Sequence, residues 1–173
     1  YIGQNAPYRD MAEMAGGTTL SGQTTIADFG CGPGELLQTL HSDYGVPNTH
    51  LFGMDFNNRI ALSEINYHQI DLNDLPDAMN RFGARLIDTG FASHVFEHLI
   101  DPSQFLRDLK PHMAKTGAFF IEVPDFGSQS LETAGKASLV NAQHIHYFTP
   151  YSLRALIINS GWSVTNIRQV KTG

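Results

Sequence analysis

The sequence predicts an α/β fold with a doubly wound, mostly parallel sheet of six to seven strands and helices on both faces. Runs rich in β-branched or aromatic residues alternate with segments whose apolar residues recur at helical spacing, and a glycine-rich turn follows the first run. Strands that alternate with helices are typical of βαβ units, which form parallel sheets. Ligands bind such sheets beyond the carboxyl ends of the strands, so the residues that follow each strand are the candidates for function.

The predicted strands are short apolar runs bounded by glycine, proline or polar residues. The first, TTIADFG, runs into the glycine turn, and the fifth, GAFFIEV, is stopped by Pro124 because proline cannot continue a ladder of hydrogen bonds. In chain order the predicted strands cover residues 24–30, 50–56, 67–71, 86–93, 117–123 and 162–170.

Helices are predicted between these strands at residues 35–41, 103–115 and 151–160. The second of them has apolar side chains at the spacing of one helix face, namely Phe105, Leu106, Leu109 and Met113.

The length of 173 residues predicts one domain, which we place at residues 1–173. The sequence begins with Tyr1 rather than Met. We therefore expect that the domain could come from a longer protein, whose further domains are candidate partners.

The composition argues against several classes of function. Eleven Lys and Arg residues stand against 17 Asp and Glu residues, a net charge of −6, whereas nucleic-acid binding depends on cationic contacts. The single cysteine, Cys31, excludes an internal disulfide and a Cys-rich zinc module. No apolar run reaches the roughly 18–20 residues of a membrane helix, and no signal peptide is evident. We expect a cytoplasmic protein that binds a small molecule and neither nucleic acid nor a membrane.

The glycine spacing of the turn DFGCGPG after the first strand can be compared with the motifs of two kinds of nucleotide-binding site. A dinucleotide fingerprint, G-x-G-x-x-G, would require glycine where the chain has Glu35. That carboxylate would repel a pyrophosphate at the helix N-terminus. The pattern acidic-x-G-x-G-x-G instead fits Asp28, Gly30, Gly32 and Gly34. It resembles the first motif of the class I S-adenosylmethionine-dependent methyltransferases, which have a Rossmann-like fold. The cofactor of that family is cationic and would suit an acidic turn.

The later segments resemble the branch of that family that contains ubiquinone-pathway O-methyltransferases and sugar C-methyltransferases. The segments HVFEHLIDP, FLRDLKP, GAFFIEVPD and HIHYFTPYSL follow one another in the order of that branch. The resemblance covers roughly residues 22–170. It implies that S-adenosylmethionine is bound by Asp28, Gly30, Cys31, Gly32, Gly34, Asp55, Phe56, Asp71, Leu72, Ser93 and His94.

Two acidic residues at strand ends have specific roles in this interpretation. Asp55 ends the second strand, where a carboxylate can accept two hydrogen bonds from a ribose diol. The resemblance implies that Asp71 contacts the adenine amino group and that the Leu72 amide contacts a ring nitrogen. Phe56 is a candidate wall for the adenine.

The residues His94, Glu97 and His98 have the H-x-x-E-H spacing of a zinc-hydrolase helix. Such a site requires a continuous helix that carries both imidazoles on one face. Here His94 comes at a strand end, and Pro102 limits any helix to about two turns. We therefore predict no metal site and interpret the segment as the rim of the cofactor pocket.

His144 is the predicted catalytic base, because histidine is poised to remove a proton near neutral pH. The resemblance to sugar C-methyltransferases implies this role, although the chain has Gln143 and Asn141 where those enzymes have glutamate and tyrosine. The predicted substrate wall consists of His98, His146 and Tyr147.

The function implied is methyl transfer to an O- or C-acceptor on a small molecule such as a sugar, a lipid precursor or a secondary metabolite. The segment SHVF occupies the place where amino-methylating enzymes carry an Asn/Asp-Pro-Pro-aromatic turn, which argues against DNA or protein-amide substrates. A cofactor-binding module without catalysis and a zinc hydrolase that uses His94, Glu97 and His98 are the alternatives.

Overall fold

A computed structural model describes residues 6–22, 25–57, 65–128 and 143–169. Within these residues the strands form one parallel sheet in the order β3-β2-β1-β4-β5. From β1 the chain builds the sheet first in one direction, through β2 and β3, and then in the other, through β4 and β5. The strand order therefore reverses beside β1, and open α/β sheets bind ligands beyond the carboxyl ends of the strands at such a point. The strands are β1 (Ile26–Phe29), β2 (Leu51–Asp55), β3 (Asn66–Gln69), β4 (Ile87–Ser93) and β5 (Met113–Glu122).

Helices cover both faces of the sheet. Helices α1 and α2 share one core with Ile26, Leu51 and Phe91, whereas α3, α4 and α5 share the other with Phe29 and Met54. All residues of β1 and β2 are buried, as expected for parallel strands covered on both faces. The helices are α1 (Ala6–Met14), α2 (Glu35–Tyr44), α3 (Leu75–Phe82), α4 (Pro102–Leu109) and α5 (Pro150–Asn159).

Side-chain caps define where three of these helices begin. Asp74 and Asp101 each accept a hydrogen bond from a backbone amide in the first turn of α3 and α4. Thr149 and Ser152 form a capping box at the start of α5. Such caps satisfy amides that have no partner within the helix. The Asp101 cap starts α4 eight residues after β4 ends at Ser93, and the intervening segment forms part of the candidate site.

The described part of the chain has five strands, fewer than the six to seven predicted. Residues 162–169 are not a strand, and residue 170 lies outside the described residues. The Trp162 indole instead donates a hydrogen bond of 2.9 Å to the Leu106 carbonyl of α4 and packs against Phe119. This contact, rather than pairing with the sheet, holds the segment after α5.

Two further boundaries differ from the prediction. Helix α4 ends at Leu109, and β5 already begins at Met113, which the sequence pattern assigned to the helix. The 3-10 turn at Lys110–His112 connects α4 to β5. The sequence pattern does not predict helices α1 and α3, which the structure contains. No helix in the described ranges has both the length and the apolar character needed to cross a membrane.

Candidate functional site

The glycine turn after β1 is held against the end of β2. The amides of Gly30 and Cys31 donate to the Met54 carbonyl at 2.7 and 3.1 Å. Gly30, Gly32 and Gly34 all have positive φ, at 78°, 52° and 86°, a conformation that other residues adopt at a cost. A Cβ on Gly30 would lie 2.3 Å from Val95 Cγ2, whereas one on Gly32 would meet no atom within 4 Å. The turn therefore leaves open space beside Gly32 for a ligand that approaches the backbone.

Asp55 joins this turn to β2. One carboxylate oxygen accepts a hydrogen bond from the Gly32 amide at 2.9 Å, and the other accepts one from the Asn57 amide at 2.8 Å. Each carboxylate oxygen has two lone pairs, so both can still accept a hydrogen bond from a ligand hydroxyl. The side chain is fixed by the protein in a position at the carboxyl end of the sheet.

Asp28 is buried beneath the turn, with an exposed fraction of 3%. Burial, together with the charge of Asp55, raises the pKa of Asp28 to about 7. Burial and the two carboxylates also raise the pKa of the Cys31 thiol, so this cysteine stays protonated and is not a reactive thiolate. Two neighbouring acids in a site of low dielectric constant favour a ligand that carries positive charge.

A surface cavity of about 420 Å³ lies beyond β2 and β3. Phe56, with an exposed fraction of 69%, lies at its edge. The Asp71 carboxylate also lines it, and one of its oxygens accepts hydrogen bonds from the amide and side chain of Asn73 at the turn that begins with Leu72. An exposed ring beside a polar wall can hold a flat heterocycle. The cavity is lined by Phe56, Gln69, Ile70, Asp71, Asp74, Asp77 and Arg81.

Ser93 ends β4 and His94 follows it, both beside Glu122 at the end of β5. The Ser93 hydroxyl donates to a Glu122 carboxylate oxygen at 2.5 Å, and the His94 amide donates to the Glu122 carbonyl at 3.0 Å. His94 is the one non-glycine residue with positive φ among the described residues, at 55°. The chain therefore turns sharply at His94, and such backbone outliers cluster at functional sites.

The segment after His94 is a turn, not the helix that a zinc hydrolase would need. The His94 ring lies 3.3 Å from Glu97 Oε1 through its Nδ1 and is 61% exposed, whereas Glu97 is 1% exposed. The hydrogen bond to Glu97 is the main cause that raises the pKa of His94, and the charges of Glu122 and Glu97 add to it. The two histidines of the H-x-x-E-H pattern are thus not arranged on one helix face.

The predicted substrate residues come from two segments that lie side by side. The amides of Ile145 and His146 both donate to the Glu97 carbonyl, at 2.8 and 3.1 Å. The His98 and His144 rings meet edge to face with centroids 4.8 Å apart. None of these residues lines the cavity beyond β2 and β3.

Tyr147 and His146 are oriented differently. The Tyr147 ring packs on Phe126 and near His144, and it is 41% exposed, so it can form part of a substrate wall. The His146 ring packs on buried Phe148, and its Nε2 has no hydrogen-bond partner within the described ranges. Asn141 lies outside the described residues.

The sequence prediction does not include Tyr8 and Glu122, which the structure places at the candidate site. Tyr8 on α1 is half-buried, and its pKa is raised to about 12 by burial and by a hydrogen bond and charge interaction with Glu35, with further contributions from Asp28 and Glu122. Its phenol therefore extends from α1 into the acidic surroundings of the turn. No local pattern identifies Tyr8, because its position depends on the packing of α1 on α2. Glu122 could have been found, since it is the one acidic residue of the predicted strand 117–123, next to its carboxyl end.

Comparison with known sequences gives one family match. The sequence profile of a family described as "Methyltransferase domain" matches residues 10–167. No curated protein sequence matches the chain.

Solved structures share the fold at low sequence identity. A SAM-dependent methyltransferase from Archaeoglobus fulgidus is 19% identical with a TM-score of 0.65, over 90% of this chain and 74% of that one. The sugar N-methyltransferase KedS8 from Streptoalloteichus sp ATCC 53650 is 17% identical with a TM-score of 0.55, over 74% of this chain and 53% of that one. Human N-acetylserotonin methyltransferase in complex with SAM is 16% identical with a TM-score of 0.64, over 91% of this chain and 46% of that one. The profile match covers most of the chain, and the solved structures share its fold. The chain therefore belongs to the methyltransferase domain family and has the Rossmann-like class I fold.

Proposed function

We propose that the chain binds S-adenosylmethionine at the carboxyl ends of β1, β2 and β4 and methylates an oxygen or carbon atom of a small molecule. The observation that carries the proposal is the pair of acids around the glycine turn. Asp28 is buried beneath the turn, and Asp55 is held by the Gly32 amide with lone pairs still free. A cofactor that has a ribose diol and two cationic groups but no phosphate suits this site.

Each part of the cofactor has a matching part of the proposed site. Asp55 would accept hydrogen bonds from the ribose hydroxyls. The cavity beside Phe56, Asp71 and Leu72 would hold the adenine. The open side of the turn at Gly30, Cys31, Gly32 and Gly34, together with Asp28, Ser93 and His94, would surround the methionine part. The residues present therefore fit the cofactor.

The chain's contribution to the reaction would be alignment and proton removal. When bound, S-adenosylmethionine supplies a methyl group activated by its sulfonium charge. Methyl transfer needs the acceptor atom in line with that group, and holding two reactants in this geometry removes much of the barrier. His144 would accept the proton from an acceptor hydroxyl or an acidic C–H group. His98 and Tyr147, which pack close to His144, would form the acceptor wall, with His146 behind them.

The acceptor class is the finer part of the proposal. Two proteins that share the fold are described as methylating a sugar and N-acetylserotonin, both small molecules. The net charge of −6 makes an anionic polymer an unfavourable partner. We therefore propose small, neutral or cationic acceptors, with the domain at residues 1–173 acting in the cytoplasm alone or beside further domains.

Isothermal titration with S-adenosylhomocysteine tests the proposed cofactor site. The wild-type protein should bind one equivalent, and Asp55→Ala should abolish binding because the ribose loses its acceptor. Asp43→Ala is a matched control, since Asp43 is an acid on the exposed face of α2 that pairs with Arg9. Equal affinity in wild type and Asp55→Ala would overturn the ribose assignment.

A second measurement separates an enzyme from a cofactor-binding module. Radiolabelled S-adenosylmethionine is incubated with the protein and a panel of sugars, phenols and lipid precursors, and methylated products are counted. Product that is lost in His144→Ala supports catalysis with His144 as base. Cofactor binding without any product across the panel supports the module instead.

A further inference from the structure

We infer that Glu97, His98 and His144 form a binding site for a divalent first-row transition cation such as Zn²⁺ or Co²⁺. One carboxylate oxygen of Glu97 and one ring nitrogen from each histidine all lie within 4.8 Å of one another. Two imidazoles and one carboxylate are a ligand set that such cations bind in proteins. This set differs from the one suggested by the H-x-x-E-H pattern, because His144 takes the place of His94.

Glu97 supplies the first independent observation. It is 1% exposed, and its Oε2 is buried without a hydrogen-bond partner within the described ranges. A buried carboxylate oxygen that makes no hydrogen bond costs free energy. A bound cation would remove that cost by direct coordination. The other oxygen, Oε1, lies 3.3 Å from His94 Nδ1, so His94 would orient the carboxylate from outside the ligand set.

His98 supplies the second observation. Its Nδ1 lies 2.9 Å from the Gln143 carbonyl. A carbonyl oxygen can only accept, so Nδ1 must carry the proton, and the lone pair of neutral His98 is then on Nε2. Metal-binding histidines commonly donate their other N–H to a backbone carbonyl in this way. His98 thus has the tautomer of a metal ligand.

The two segments that carry the ligands are locked together by backbone contacts. The Ile145 and His146 amides both donate to the Glu97 carbonyl, which holds His144 beside the turn at residues 94–98. Ligand atoms around one zinc ion lie roughly 3.4 Å apart for bonds of about 2.1 Å. The half-buried His144 ring would rotate towards this spacing, while His98 keeps its hydrogen bond to the Gln143 carbonyl.

Three protein ligands would leave at least one coordination position open, which could be filled by water or by an oxygen of the acceptor. A cation on His144 would use the lone pair that the proposed base needs, so bound Zn²⁺ or Co²⁺ should inhibit the proposed methyl transfer. Metal binding does not depend on the cofactor, so it can be tested when the proposed methyl transfer fails. Titration of metal-free protein with S-adenosylhomocysteine tests the cofactor site separately.

The test is titration of chelator-treated protein with Co²⁺, followed by the visible d–d absorption, and with Zn²⁺, followed by calorimetry. The expected result is one ion per chain, with affinity lowered more than about 100-fold in His98→Ala and His144→Ala. His94→Ala should lower it by about 10- to 100-fold, the usual effect of removing an outer partner. His112→Ala is the matched control, because His112 precedes the amino end of β5, whereas the proposed ligands Glu97 and His98 follow the carboxyl end of β4; it should bind like wild type.

Glu97→Gln keeps the shape of the buried side chain and removes its charge, and circular dichroism checks that each variant is folded. If Glu97→Gln does not fold, His144→Ala still tests the site, since His144 is only half-buried. The inference is overturned if wild type shows no saturable Co²⁺ or Zn²⁺ binding. It is also overturned if the folded His98→Ala and His144→Ala variants bind as tightly as His112→Ala.

Discussion

Asp28 pairs in register with Gly53 on β2, two residues before Asp55, and the charge of Asp55 joins burial in raising the pKa of Asp28 to about 7. The two acids differ in how they are held. Asp55 accepts two backbone hydrogen bonds, whereas Asp28 lies fully beneath the glycine turn. Asp28 therefore changes its charge near neutral pH, and both ligand affinity and stability should respond.

Cofactor affinity should rise with pH up to about 7. A cationic ligand binds more tightly when Asp28 is ionised. Below about pH 7 Asp28 of the free protein is mostly protonated, so it must release this proton when the ligand binds. S-adenosylmethionine should therefore bind about fivefold more weakly at about pH 6 than at about pH 7. Calorimetry in two buffers of different ionisation enthalpy measures the released proton. In Asp28→Asn both the proton release and this pH dependence should disappear, and their persistence would contradict the role of Asp28.

The free energy of unfolding should fall with rising pH because of Asp28. The pKa of Asp28 is about 7 in the folded protein against an ordinary value of 3.8, so the folded protein keeps a proton that the unfolded chain releases between these values. The stabilising contribution is complete below about pH 4 and is lost as pH rises to about 7, a change on the order of 4 kcal/mol.

Urea unfolding of wild type and Asp28→Asn, followed by circular dichroism, measures this change. The variant should gain stability relative to wild type as pH rises from about 4 to about 7, with no further gain above. Other titrating groups are common to both proteins and cancel in the comparison. A difference that stays constant over this range would show that Asp28 does not ionise with a raised pKa.

Gly30→Ala should destabilise the protein more than Gly45→Ala. Both glycines have positive φ, at 78° and 70°, which costs an alanine roughly 1–2 kcal/mol. Only at Gly30 would the new Cβ also collide with Val95, at 2.3 Å from Cγ2, whereas Gly45 has no atom within 4 Å. The collision should add roughly 1–3 kcal/mol. Urea unfolding measures both variants, and equal losses would mean that the contact with Val95 relaxes freely.

Phe56→Ala should weaken cofactor binding and leave stability unchanged. The ring is 69% exposed at the edge of the cavity beyond β2 and β3, so its removal creates no void in the core. Stacking of a base on an aromatic ring is worth roughly 1–3 kcal/mol, so affinity for S-adenosylhomocysteine should fall about tenfold. Tyr151→Ala is the control, because Tyr151 is 87% exposed on α5. If both variants bind equally well, Phe56 does not contact the adenine.

The sequence predicted best what is encoded locally. The glycine turn and Asp55 directly follow apolar strands, and the parallel sheet brings strand ends to one edge, so their proximity followed from the fold class. Residues 162–170 were predicted as a strand from their apolar content, but Trp162 satisfies its indole N–H on α4 instead. Tyr8 was missed because its environment depends on the packing of α1, which no short pattern encodes.

The pattern of His94, Glu97 and His98 shows the same limit of local reasoning. Its spacing suggested a helix, and Pro102 argued against one, which the turn in the structure confirms. The neighbour that changes its interpretation, His144, lies 46 residues after His98 in the chain. Hydrogen bonds between the two segments, which no sequence pattern encodes, bring these rings together.

Trp162 is the single tryptophan of the chain, so all tryptophan fluorescence originates at its contact with Leu106 and Phe119. This contact lies on the face of the sheet that α4 covers. The emission spectrum should therefore act as a built-in optical reporter of whether the segment after α5 is docked. A red shift that precedes the loss of helical signal during denaturation would reveal that this segment detaches before the rest of the protein unfolds.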